Sequence, residues 1–313
     1  MRRIYVIHEN NAWVEPLRTA LMVRGLPFEE WFLDTGSVDL GTVPPEGVFY
    51  NRMSASSHTR DHRYAPEYTA ATIAWLERHG RRVLNGGRAL QLEVSKVAQY
   101  AALEAYGVRI PRTVAAVGGG ALVAAAEDFP RPFITKHNRA GKGLGVRLFH
   151  DAVSLARYVD GPEFEESVDG VTLLQQYIEA PESFITRVEF VGGRLLYAVR
   201  VDTSQGFELC PADACRVDDA FCPAGEEASS LFRIIDGFQD PLVTTYERLL
   251  ADNDVHIAGI EFIVDQDGTP YTYDINTNTN YNSEAESRVG CSGMGAIAEY
   301  LGQELAEVGK LAS

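Results

Sequence analysis

The chain has 313 residues, 45% of them hydrophobic, with 28 basic against 44 acidic side chains and a net charge of −16. That balance argues against nucleic acid or an anionic membrane as the main partner. There is no apolar run of about eighteen residues, and the opening MRRIYVIHENNAW lacks the apolar stretch of a signal peptide, so a cytoplasmic protein is expected.

The length allows two or three compact units. Charge is spread unevenly: residues 1–90 hold 11 Arg and 10 Asp plus Glu (net +1), leaving 17 basic against 34 acidic residues (net −17) in the rest. Arginine outnumbers lysine 24 to 4, the lysines being Lys96, Lys136, Lys142 and Lys310. A compact ammonium does point-charge work on phosphate that a planar guanidinium does less well, so each lysine is a candidate for that work.

In chain order, RRIYVIHEN, AWVEPLRTALMVRGL and FEEWFLD read as strand, amphipathic helix and strand, with Gly25 as the helix stop. GVFYNRM adds a strand and PEYTAATIAWLERHG a helix ending at Gly80, an α/β unit without a G-x-G-x-x-G turn. ALQLEVSKVAQYAALEAYGVRIPRTVAAV reads as one long helix leading through Gly107 and Pro111 into a strand. PFITKH, VRLF and LLQQYI are short strands, with the glycine-rich NRAGKGLG between the first two. That loop is read either as a plain turn or as a flexible lid whose N–H groups close over phosphate beside Lys136.

Two hairpins follow, turning at Gly192–Gly193 and at Asp267–Gly268, pairs that type I′ turns prefer. A two-residue turn at Asp267–Gly268 sets Glu261 opposite Asp274 and puts Asn276 on their face. Ile260, Phe262, Val264, Tyr271, Tyr273 and Ile275 then point to the core. Opposed carboxylates destabilise a sheet unless a cation lies between them. They are therefore either an oxygen-rich site suited to Mg2+ on substrate phosphates, or a solvated face with diverging acids. Asp274, Asn276, Asn278, Asn280 and Asn282 recur at every second position although Asn and Asp are poor strand formers. Cys210, Cys215 and Cys222 match no metal-binding spacing and read as structural or incidental thiols.

In order, these blocks resemble the ATP-grasp enzymes, most of all the RimK-like carboxylate–amine ligases, well over about residues 85–285 and more loosely before them. The resemblance implies an α/β fold of three parts: an N-terminal α/β domain over 1–87, a small central lid domain over 88–176, and a C-terminal antiparallel-sheet domain over 177–313. It implies that Lys96 and Lys136 contact ATP phosphate under the lid Gly141, Lys142 and Gly143. Gln176, Tyr177 and Ile178 match the hinge that meets adenine, with Glu179 near the ribose. Arg187 and Arg200 match catalytic arginines, and Glu261, Asp274 and Asn276 match the ligands of Mg2+, with Mn2+ as a substitute ion. Two segments depart from the pattern, TNTNYNSEAE and GFELCPADACRVDDAFCPAG, and both lie where such enzymes choose their amine.

The implied reaction joins a small-molecule carboxylate to an amine, an amino acid or peptide included, through an acyl phosphate. A homodimer is allowed for, and nucleic acid and membrane are not expected as partners. In NRMSASSHTRDHR, which follows a strand, Arg52 and Arg63 are candidate forks for a substrate carboxylate, with surface ion pairs to Asp61 or Glu67 as the alternative. Ser54 and His58 lie with them, His58 more as a hydrogen-bonded loop residue than as a base. Asn278 and Asn280 reach toward the acceptor, or else are a polar loop satisfying its own backbone. A kinase acting on a hydroxyl, and an ATP-binding regulatory module, remain as alternatives at this point.

Overall fold

The computed structural model describes residues 2–141, 143, 145–204 and 231–310; Lys142, the three clustered cysteines and the segment GFELCPADACRVDDAFCPAG lie outside the described residues. Near-continuous apolar runs suit strands buried on both faces. β1 (Arg3–His8) and β3 (Gly47–Asn51) are of this kind, and with β2 (Phe28–Phe32) and β4 (Arg82–Leu84) they form a parallel sheet in the order β2-β1-β3-β4. One face packs against α1 (Asn11–Val23) and the C-terminal helix Gly293–Lys310 through Leu17, Leu21, Ile297 and Leu301. The other packs against α2 (Ala65–Arg78) through Ile73 and Leu76. Gly25 and Gly80 close the two helices with φ of +62° and +64°, the left-handed conformation that glycine adopts without penalty.

A second sheet is antiparallel in the order β5-β8-β6-β7, built from β5 (Thr113–Val117), β6 (Phe133–His137), β7 (Arg147–Phe149) and β8 (Val171–Gln176). Helices α5 (Gly119–Ala126) and α6 (Ala152–Val159) cover one side of it. The third sheet is antiparallel in the order β11-β10-β9-β12-β13, from β9 (Phe184–Val191), β10 (Arg194–Asp202), β11 (Phe232–Ile235), β12 (Ile257–Val264) and β13 (Pro270–Asn276). Its inner face packs on α3 (Gly87–Glu93), α4 (Lys96–Ala105) and the helix Pro241–Asp252 through Leu92, Leu103, Phe190, Tyr246 and Ile260. Parallel and antiparallel sheets with helices between them make the mixed α/β fold that was expected. No helix among the described residues is long and apolar enough to cross a membrane.

Two local readings are corrected. The long helix expected from residue 89 is two helices, because the chain leaves helical geometry at Ser95, whose side chain accepts from Ala98 N as the N-cap of α4. Lys96 thereby becomes the first residue of a new helix with its own direction. The second correction concerns the hairpin β12–β13. Its connection is Asp265–Thr269, closed by Asp265 N donating to Thr269 O, and not a two-residue turn at Asp267–Gly268.

That longer turn shifts the register to Val264↔Pro270 and Phe262↔Thr272, and an extra residue, Tyr273, then restores Glu261↔Asp274. Two departures cancel, so the acids face each other as expected. The bulge inverts the alternation beyond it. Thr272, and not Tyr271 or Tyr273, enters the core, where it meets Tyr246 Oη at 2.6 Å, and Tyr273 turns to the opposite face. The Gly192–Gly193 turn is as expected, with positive φ at both residues and Val191 paired to Arg194.

Because Ser95 both breaks the long helix and caps α4, Ser95→Ala should lower unfolding free energy by about 1 kcal/mol. Urea denaturation of the two proteins measures this; equal midpoints would mean that the cap does not hold the break.

Candidate active site

The second and third sheets face each other across a cavity of about 330 Å³. Side chains two apart on a strand share a face. Ile134 and Lys136 lie two apart on β6, as do Ile185 and Arg187 on β9, and Ile263 and Glu261 on β12, and all six border the cavity. The register aligns Arg187 with Glu261 and Glu261 with Asp274, so a row of charge crosses three strands. Two residues further along lie Ile185 and Ile263. The cavity therefore has an apolar end and a charged end; in the sequence the apolar end showed only through the hinge Gln176, Tyr177 and Ile178, and Ile134, Ile185 and Ile263 did not stand out.

Three elements bring cations to the opposed acids. Lys96, at the start of α4, forms an ion pair with Asp274. Arg187 Nη1 donates to Glu261 Oε1 at 3.0 Å and Nη2 to Thr279 Oγ1 at 2.6 Å, while Nε pairs with Glu189. Lys136 is buried between the rings of Tyr100 and Tyr273, 5.9 and 5.6 Å from their centres, with its Nζ donating to Tyr100 Oη at 3.3 Å. A Cβ on Gly259 would stand 2.7 Å from Arg187 Nη2, so this strand position must lack a side chain for the guanidinium to cross it.

Burial alone would raise the carboxyl of Asp274, but the ammonium groups of Lys96 and Lys136 hold it below its ordinary value. Burial lowers Lys136 below the usual lysine value, partly offset by Asp274 and Glu261. The same burial, with the two acids beside it, keeps Tyr273 protonated far above its normal range. These acids are thus neither solvated nor diverging: they are enclosed and neutralised by the protein's own cations.

Glu261, Asp274 and Asn276 all border the cavity and offer hard oxygens, the donor set that suits Mg2+ beside phosphate. Asn276 Oδ1 accepts from Asn278 N at 3.0 Å and keeps a second lone pair. Among the described residues no group of three or more His, Cys, Asp or Glu is placed to hold a metal, so an ion here would rest on two carboxylates and Asn276, with its other oxygens from water or a bound molecule.

The other expected residues divide. Ser54, Gly141, Gly143, Gln176, Tyr177, Ile178, Asn278 and Asn280 border the cavity, whereas Glu179, Arg52, His58, Arg63 and Arg200 do not. Arg200 donates to Glu182 at 2.6 Å, and it is Glu182 that reaches the cavity. Arg63 donates to Val168 O, and His58 Nδ1 lies 3.2 Å from Ala55 O. Glu67, offered as an ion-pair partner for Arg52 or Arg63, pairs with Arg139 instead. Arg52 is enclosed and bonded to the asparagine segment, so its guanidinium does not face a ligand in the cavity.

Two acids were missed. Glu189 stands two residues after Arg187 on the same strand face and pairs with its Nε; the signal was the R-x-E spacing of that face. Glu93 borders the cavity at the end of α3, accepting from Ala55 N, Thr277 N, Thr277 Oγ1 and Asn278 N. Burial raises its carboxyl, with Lys96 opposing.

No protein-family profile and no curated protein matches the sequence. Solved structures do match. The chain has the ATP-grasp fold: it is similar to a RimK domain ATP-grasp protein from Sphaerobacter thermophilus, with 18% identity and a TM-score of 0.65 over 95% of this chain and 98% of that one. D-cycloserine synthetase DcsG aligns at 18% identity and a TM-score of 0.66, covering 96% and 99% of the two chains. The ATP-grasp ligase PsnB, complexed with a phosphomimetic variant of minimal precursor, Mg and ADP, aligns at 16% and 0.63 over 97% and 99%.

The lowered pKa of Lys136 has a sign that can be tested. The buried ammonium loses its proton at lower pH than an ordinary lysine, near 10.4, and only the ammonium attracts phosphate. Mg-ADP affinity should therefore fall as pH rises, and do so at lower pH than an ordinary lysine would dictate, while Lys136→Met should bind more weakly with a flatter profile. Titration calorimetry across that window checks this; a wild-type profile parallel to that of Lys136→Met would refute it.

Proposed function

We propose that this chain is an ATP-dependent carboxylate–amine ligase that releases ADP and phosphate. The observation that carries the reading is the two-ended cavity. Its isoleucines suit a nucleobase, and its other end combines two lysines with opposed carboxylates and Asn276. The complex of the similar PsnB with Mg and ADP supports a nucleotide and Mg2+ here. That two of the similar proteins are a ligase and a synthetase favours bond formation over phosphorylation of a hydroxyl.

In this reading the base lies against Ile134, Ile185 and Ile263 with the backbone of Tyr177 and Ile178 at its edge, and Lys136 and Lys96 hold the phosphates. Glu261, Asp274 and Asn276 would hold Mg2+, which when bound offsets phosphate charge. Lys96 exchanges Asp274 for phosphate as nucleotide enters. Arg187, saturated by Glu189, Glu261 and Thr279, positions Glu261. Arg200 lies outside the cavity on Glu182, and would have to leave that partner to meet the transferred phosphoryl group.

A substrate carboxylate oxygen attacks the γ-phosphorus and ADP leaves; the amine nitrogen then attacks the acyl carbon, phosphate leaves and a proton is lost. The glycine loop over the site keeps water from the acyl phosphate, and fixed charge and alignment supply the rate.

Lys96→Ala and Lys136→Ala should each lower kcat/KM by about 10²-fold or more. In a screen of amino acids and short peptides with Mg-ATP, ADP and phosphate should form in equal amounts. Hydroxylamine should trap the acyl phosphate as a hydroxamate. A stable phosphorylated product with no condensed one, seen by mass spectrometry, would replace the ligase with a kinase.

A further inference from the structure

Arg52 follows β3 in the parallel sheet and is 2% exposed, behind the cavity wall. Its Nε donates to Asn278 Oδ1 at 3.2 Å, and its Nη2 to Asn280 Oδ1 at 2.8 Å and to Thr279 O at 3.0 Å. Its Nη1 lies 3.7 Å from Met294 Sδ. A guanidinium has donors and no acceptor, so each asparagine must turn its carbonyl oxygen to Arg52, which settles the orientation of both amides.

The Nδ2 ends therefore point away from Arg52. Asn278 and Asn280 are 5% and 8% exposed, both border the cavity, and among the described residues neither Nδ2 has a hydrogen-bond partner. Neither Nδ2 is sealed off from solvent, so each can donate to a ligand oxygen that displaces water. The segment is rigidly backed: Glu93 holds Thr277 N and Asn278 N, and Thr279 Oγ1 lies between Arg187 Nη2 and Glu189 Oε2.

We infer that Asn278 and Asn280 form a subsite offering only donors, which binds the carboxylate of an amino-acid substrate, and that Arg52 is the positioning residue that fixes this polarity. The inference rests on the ligase reading and names the chemistry of its substrate. It narrows the expectation that these asparagines reach toward the acceptor, by naming the acceptor's carboxylate as the group they bind. Both side-chain oxygens are turned to Arg52, so an amine entering from the cavity meets the NH2 groups rather than an acceptor. Two neutral donors read a carboxylate without adding a cation that would compete for the acids Glu261 and Asp274.

Asn→Asp is the clean test, because the oxygen bonded to Arg52 stays and only the cavity-side NH2 becomes a carboxylate oxygen. Binding of the proteinogenic L-amino acids, D-alanine and the C-terminal amide of each is measured by thermal shift and then calorimetry, with Mg-AMPPNP saturating. Wild type should bind one or more free acids and bind their amides at least about 10-fold more weakly, as for a lost bond to a charged group. Asn278→Asp and Asn280→Asp should lose the acid by a similar factor while Mg-AMPPNP affinity is kept. Arg52→Lys should raise the KM for the amino acid with kcat little changed. Amides binding as well as acids, or the Asp variants binding acids like wild type, would overturn the subsite. So would a panel in which no acid binds, whereas the hydroxamate assay judges the ligase reading separately.

Discussion

The structure depends on a pair of opposed carboxylates that water does not reach freely. Glu261 and Asp274 meet across β12 and β13 with side chains 17% and 22% exposed, an arrangement that repulsion and lost hydration would break without cations. Three come from separate parts of the chain: Lys96 from a helix that starts anew at Ser95, Arg187 from the neighbouring strand across Gly259, and Lys136 from the opposite sheet. A buried charge cluster is a weak source of stability. What it provides is a place where phosphate and a divalent cation can exchange with charges that are already balanced.

Behind this cluster, a second set of contacts holds the chain that leaves β13. Glu93 takes backbone N–H groups of Thr277 and Asn278, Arg52 takes the side-chain oxygens of Asn278 and Asn280, and Thr279 closes on Glu189. Asn278 and Asn280 are thus held from one side by Arg52, while Asn282 caps the helix Ser283–Val289 through Ala285 N. In Asn278 and Asn280 the two unlike ends of the amide face inward to Arg52 and outward to the cavity, which neither serine nor aspartate would reproduce.

Much of this was legible because strands and hairpins are local. The facing of Glu261 and Asp274 followed from alternation, although a longer turn and the bulge at Tyr273 had to cancel for it to hold. What was illegible is non-local or has no polar marker. Arg52 and Asn280 are 228 residues apart, and no local pattern announces that they touch. The isoleucines at 134, 185 and 263 look like ordinary core residues until two sheets are set face to face. Glu93 was hidden among many acids, since only burial distinguishes it, whereas Glu189 could have been read from its R-x-E spacing to Arg187. The helix break at Ser95 could have been read, for a serine before a helical run is an N-cap signal.

The central claim is that the neutralised acid pair is where a magnesium nucleotide binds, and the most direct measurement is the thermal shift caused by ADP with Mg2+ and with EDTA, in wild type and in Asp274→Asn. Ligand that binds only the folded state must raise the melting temperature. Wild type should gain a shift with Mg-ADP that EDTA largely removes, and Asp274→Asn should remain folded by circular dichroism yet show a small shift in both conditions. An equal shift with and without metal in wild type, or a full metal-dependent shift in Asp274→Asn, would contradict the account.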